Sequence, residues 1–218
     1  MSELPTTARG TATRRRILDA AASEFAQVGL AGARMDRILA AADGNKARLY
    51  AYFGSKEGLF DAVIADRVDT SADTVPFDAD DLAGWAVGLY DQNLRHPDLA
   101  RLIAWTRLER HPTGRWFDSA QHEHKLTAIA QAQAAGLLRG GDPADLLILV
   151  ISMASAWSPA SSVYTATPDE PADVHERRRA LLRESVARAV SPETDDCSTE
   201  ARLAGTDRAG KATGRQSR

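Results

Sequence analysis

Lys46, Arg48, Tyr50 and Lys56 bring three cations and a phenolic hydroxyl into a short stretch that also carries Leu49 and Phe53. On a helix Leu49 and Phe53 lie four apart and share one face, while Lys46 and Tyr50 share another with Arg48 beside them. Arginine can pair with guanine in a DNA major groove, and lysine, arginine and hydroxyl groups hold phosphate oxygens. The chemistry on offer is recognition of nucleic acid rather than bond making. Gly54 breaks the segment and Ser55 can cap the next helix, which puts Lys56 in its first turn. A helix N-terminus with a lysine is a natural phosphate clamp.

A reading helix needs a scaffold that holds it proud of the surface. Upstream, Ile17, Leu18, Ala21, Ala22 and Phe25 form one helical stripe, with Thr13 as its expected N-cap and Gly29 as its end. A second stripe, Met35, Ile38, Leu39 and Ala42, stops at Asp43 and Gly44, where Gly44 is expected to take the positive φ of a tight turn. Asn45 then N-caps the third helix. Two short helices joined in this way, the second with a cationic outer face, predict a helix-turn-helix, which docks the N-terminal part of its second helix in the major groove.

Residues 13–63 resemble, without gaps, the DNA-binding domain of the TetR (tetracycline repressor) family of transcriptional regulators. The first helix follows the pattern T-R-x-x-I-L-x-A-A-x-x-x-F over residues 13–25, with Gly29 close behind. Residues 35–44 follow apolar-x-x-I-A-x-x-A-G-V, and residues 45–59 follow S-K-x-x-L-Y-x-Y-F-x-x-K-E-x-L. The chain also departs from what the family usually carries. Asp43-Gly44 replaces Gly-Val, Arg34 stands where Ser or Thr caps the second helix, Leu39 replaces a small Ala, and Arg48 replaces a small or hydroxyl residue. Arg34 forfeits a cap and offers a phosphate-binding cation instead. The residue chemistry and the resemblance together give an expected DNA contact set of Arg14, Arg15, Arg34, Asn45, Lys46, Ala47, Arg48, Tyr50, Tyr52 and Lys56, with Tyr50 favoured over a partly buried Tyr52. The resemblance also implies an all-α fold of about nine helices, a three-helix DNA-binding head followed by a larger ligand-binding and dimerisation domain.

The chain has 218 residues, 44% of them hydrophobic, which suffices for a sizeable core. Its net charge of -3 argues against a protein that coats nucleic acid indiscriminately. Charge is uneven, however: Arg9, Arg14, Arg15, Arg16, Arg34, Arg37, Lys46, Arg48 and Lys56 crowd the N-terminal part, and residues 69–81 are acidic. The single cysteine, Cys197, has no partner for a disulfide. No signal core and no apolar run near the ~18 residues of a membrane span are present, so a cytoplasmic protein without membrane contact is expected.

The expected division is a flexible arm at 1–12, the head at 13–68, the larger helical domain at 69–190 and a disordered tail at 191–218. Within 142–157, Asp142 is an N-cap, Pro143 suits the first helical position, and the apolar residues that follow surround most of the axis. Burial against a second copy, with a last amphipathic helix over 171–190, predicts a homodimer through Leu146, Leu149, Val150, Met153, Leu181, Leu182 and Val186. The resemblance agrees, because the family's two terminal helices usually form its dimer. The family's larger domain commonly holds a small effector. Candidate pocket residues are Trp85, Tyr90, Gln92, His96, Trp105, Trp116, Met153 and Trp157, which can equally be ordinary core.

No cofactor and no metal are expected, since His122 and His124 diverge around a helix. His96, His111 and Cys197 lack the spacing of a catalytic set, so an enzyme is not expected either. The leading expectation is a dimeric repressor that leaves a palindromic double-stranded operator when an unidentified small molecule binds. Two rivals are a DNA-binding regulator without a ligand, and a ligand-binding helical protein that no longer binds DNA.

Overall fold

The computed structural model describes residues 8–72, 74–111 and 120–192. Among these the elements are α1 (Ala8–Gly32), α2 (Met35–Ala41), α3 (Lys46–Phe53), α4 (Lys56–Ala72), α5 (Leu82–Arg95), α6 (Pro97–Arg110), α7 (Ala120–Ala134), α8 (Pro143–Ala154) and α9 (Ala172–Val190), with no strand. The all-α expectation is met. Residues 1–7 and 193–218, hence most of the expected arm and tail, lie outside the described residues, as does Trp116.

Two apolar cores organise the helices. The first gathers Ile17, Leu18, Phe25, Ile38, Leu49, Phe53, Leu59, Phe60 and Val63 from α1–α4. Phe25 and Phe60 meet edge to face there, with ring centroids 5.0 Å apart. The second gathers Leu82, Trp85 and Tyr90 of α5, Ile129 of α7, Leu146, Leu147 and Val150 of α8, and Leu182, Val186 and Val190 of α9. Helix α6 belongs to both halves of the chain. It follows α5 directly, yet packs along α1, and its Leu102 is fully buried in the first core. Burial of that side chain contributes ~1.5–3 kcal/mol to joining α6 and the head.

Three local readings need correction. Helix α1 is already formed at Ala8, ahead of Thr13, whose hydroxyl donates to the Arg9 carbonyl at 2.9 Å inside the helix instead of capping its start. The left-handed residue of the α2–α3 turn is Asp43 (φ 45), not Gly44. Aspartate tolerates that region, and Gly44 instead provides close packing, where an added Cβ would meet Leu39 Cδ2 at 3.3 Å. Finally, α4 continues to Ala72, past the expected end at 68.

Gly29 interrupts α1 with φ 72, and the chain resumes a helical turn to Gly32 before α2. Asn45 caps α3 as expected, its side-chain oxygen accepting from the amides of Ala47 (2.9 Å) and Arg48 (3.3 Å). Gly54 (φ 74) ends α3, and the Ser55 hydroxyl accepts from the Gly58 amide at 3.0 Å to start α4.

Candidate nucleic-acid interface

Helix α3 is anchored by Leu49, which is fully buried, and by Phe53. With that face fixed, Asn45, Lys46, Ala47, Arg48 and Tyr50 are exposed together at the N-terminal half of the helix. Tyr50 is 42% exposed. Lys46 and Arg48 enter none of the ion pairs among the described residues, so both charges remain open to a ligand. Arg14 flanks α3, its guanidinium 5.5 Å from the Phe53 ring centroid. Tyr52 is half-buried with its ring edge-on to Phe53 at 6.1 Å.

Of the remaining predicted contacts, Arg15 and Lys56 also hold partners inside the protein. Arg15 pairs with Asp19 at 2.9 Å and Asp66 at 3.1 Å, and Arg67 also reaches Asp19 at 2.6 Å. Burial works against the Asp19 carboxylate, but the hydrogen bonds from Arg15 and Arg67 outweigh it and hold its pKa below the usual value. Two carboxylates thus engage the Arg15 guanidinium, which braces α1 against α4. The Lys56 ammonium donates to the carbonyls of Ala33 (2.8 Å) and Ala31 (3.1 Å). Two of its three N–H groups therefore secure the α1–α2 connection, and one remains for a phosphate. Arg34 is exposed at the start of α2, where no side chain caps the helix; its own amide donates to Glu24 of α1 at 3.2 Å.

A helix-turn-helix presented in this way on a helical body is a fold shared with solved regulators. SCO4942 from Streptomyces coelicolor, described as a transcriptional regulator, superposes with a TM-score of 0.68 at 36% identity, covering 82% of this chain and 98% of that one. Residues 17–63 match the model of bacterial regulatory proteins of the tetR family, and residues 81–188 match the tetracyclin repressor-like C-terminal domain. The chain belongs to the TetR family. A curated relative, the HTH-type transcriptional repressor SCO4008 of Streptomyces coelicolor, is 40% identical over 67% of this chain and 78% of its own length. The A-factor receptor protein of Streptomyces griseus is 35% identical over 51% of this chain and 43% of its own. This TetR-family chain is therefore a DNA-binding transcriptional regulator.

The predicted effector residues do not converge on one pocket. Gln92 and His96 line a cleft of about 290 Å³ between α1, α4 and the α5–α6 corner, opposite Asp19, Ser23, Arg67 and Thr70. Trp105 lies elsewhere, on α1, its indole N–H donating to the Ala26 carbonyl at 3.3 Å. Trp85 and Tyr90 are buried in the second core, with Met153 and Trp157 packed against it. The half-buried Lys125 ammonium stands 5.5 Å over the Trp85 ring, and burial lowers its pKa.

Tyr90 has a partner no sequence pattern announces. Its hydroxyl is 2.7 Å from His175 Nδ1, both side chains buried, while His175 Nε2 has no hydrogen-bond partner. Arg178 lies beside them, paired with Glu170 at 2.8 Å. Burial opposes the Arg178 charge, but hydrogen bonds to Tyr90, Tyr164 and Glu170 prevail and raise its pKa. Tyr90→Phe strands a second nitrogen of the buried imidazole and is expected to cost ~1–3 kcal/mol. Thermal unfolding followed by circular dichroism reads this as a fall of several degrees; an unaltered Tm would show that the bond contributes nothing net.

The predicted dimer residues divide as well. Leu146, Val150, Leu182 and Val186 are buried in the protomer's own core and cannot meet a second copy, so they leave the interface set. Leu149 (43% exposed) and Leu181 (54%) face outward, joined by Ile148 (54%), and Met153 is half-buried. The apolar run of α8 is only partly free, because one side of the helix packs on α5, α7 and α9.

Proposed function

We propose that this regulator is a homodimeric repressor that binds a palindromic operator through two α3 helices and leaves it when a small molecule occupies the body. The observation that carries the reading is the open cationic end of α3, Lys46, Arg48 and Tyr50, set on the buried Leu49–Phe53 anchor. Two such heads on one dyad address half-sites ~34–36 Å apart. The exposed Ile148 and Leu149 of α8 and Leu181 of α9 supply an apolar face for the second copy. The cleft bearing Gln92 and His96 is the effector site, since its walls come from both the head and the body. A ligand there shifts the DNA-competent state by its differential affinity for the two arrangements.

Selection of bound duplexes from a random pool tests this reading, with Arg48→Ala as the diagnostic variant. Arg48→Ala is expected to cost ~1–3 kcal/mol on the selected site and to relax base preference at one position in each half. An equal loss on every sequence would reduce Arg48 to a phosphate contact. A pool without any two-fold symmetric site would count against the dimeric repressor itself.

A further inference from the structure

At the break in α1, helix α6 takes over the hydrogen bonds that the helix gives up. The Leu30 amide would find the Ala26 carbonyl in a continuous helix. Instead the Ala26 carbonyl accepts from Trp105 Nε1 at 3.3 Å, and the Leu30 amide donates to Glu109 Oε2 at 3.0 Å. The Ala31 amide reaches the same carboxylate, 3.2 Å from Oε1. Gly29 permits the approach: a Cβ there would stand 2.5 Å from Glu109 Oε1 and 2.7 Å from the Trp105 ring. The carbonyls of the same connection are held from the other side by Lys56. One turn after Trp105 and beside Glu109, Arg110 pairs with Asp61 of α4 at 2.5 Å. The opposite end of α6, Pro97 to Leu99, lines the cleft described above.

We propose that Glu109 is a positioning residue for operator binding, a carboxylate latch through which α6 fixes the α1–α2 connection and with it the orientation of α2 and α3. The anion sits where two peptide N–H groups point outward, the arrangement in which a carboxylate at a helix start is most favourable. Its influence on DNA is indirect, because it touches neither α2 nor α3. A single head can settle on a half-site whatever its tilt. Two heads held on one dyad bind together only if their tilt is set beforehand, so loosening the latch weakens paired binding and leaves single binding intact.

The inference rests on the dimeric repressor reading, and the test separates the two. Full-length wild type, Glu109→Ala and Glu109→Gln are titrated against the pool-selected operator, against a duplex carrying one half-site, and against operators with the spacer lengthened or shortened by one and two base pairs. For Glu109→Ala the expected result is a ~10-fold weaker hold on the full operator, half-site affinity within ~2-fold of wild type, and flattened discrimination between spacers. Glu109→Gln keeps one acceptor oxygen and is expected to fall between the two. A parallel fall on operator and half-site would mean that Glu109 merely supports the fold of the head, and overturns the proposal. Unchanged binding on all duplexes overturns it too, while a pool without a two-fold site overturns the repressor reading together with it.

Discussion

Gly29→Val should lower the Tm of the whole protein by about 5–20 °C. Valine at φ 72 suffers backbone strain of ~1–3 kcal/mol, and its side chain would enter space already held by Trp105 and Glu109. Overpacking of this kind costs a further ~1–3 kcal/mol. The damage falls on the α1–α6 contact rather than on a surface loop, because Gly29 itself is buried. Differential scanning calorimetry is the direct measurement. A Tm within about 2 °C of wild type would mean that α6 swings away at little cost, and would remove the basis for treating the break as a rigid joint.

Ile148→Arg combined with Leu181→Arg is expected to give a folded monomer with operator affinity reduced ~100-fold or more. Both side chains are 54% exposed on the protomer, so arginine is accommodated in water without touching either core. In the dimer the same positions would force cations into an apolar face, where an unpaired charge costs several kcal/mol. A monomer loses the second half-site, and with it the ~10²–10⁴-fold gain that linkage of two binding events provides. Sedimentation velocity reports the assembly state, and a titration of selected operator reports the affinity. A persistent dimer would move the interface off α8 and α9; a monomer with undiminished operator affinity would leave dimerisation without a role in binding.

Much of the head is legible in the sequence, because its signals are local. Helical spacing assigned Leu49 and Phe53 inward and Lys46, Arg48 and Tyr50 outward, and Asn45 caps α3 as its side chain suggests. Local signals fail where a distant group competes for the same atoms. Spacing puts Lys56 at a helix start but says nothing of the Ala31 and Ala33 carbonyls that take two of its N–H groups. Nor does spacing show that Asp66, far along the chain, pairs with Arg15. Glu109 gave no signal, since the amides it serves lie 78 and 79 residues away. In the body, periodicity marked α8 as apolar on nearly every side but could not say which side the protomer uses itself. Leu146 and Val150 went inward, Ile148 and Leu149 outward, and only packing decides between them. The aromatic residues share a composition but not a place: Trp85, Tyr90 and Trp157 belong to the second core, while Trp105 lies against α1.

The allegiance of α6 bears on how such a protein can be taken apart. Leu102 completes the core of the head, yet it is encoded after α5, a helix of the other core. A fragment cut at the end of α4 would leave an unfilled socket for Leu102 and an uncapped turn at Leu30. The reading unit is thus discontinuous in the gene, and a chimera that exchanges operator specificity between such regulators must carry α6 along with the first four helices, or graft only the outer face of α3.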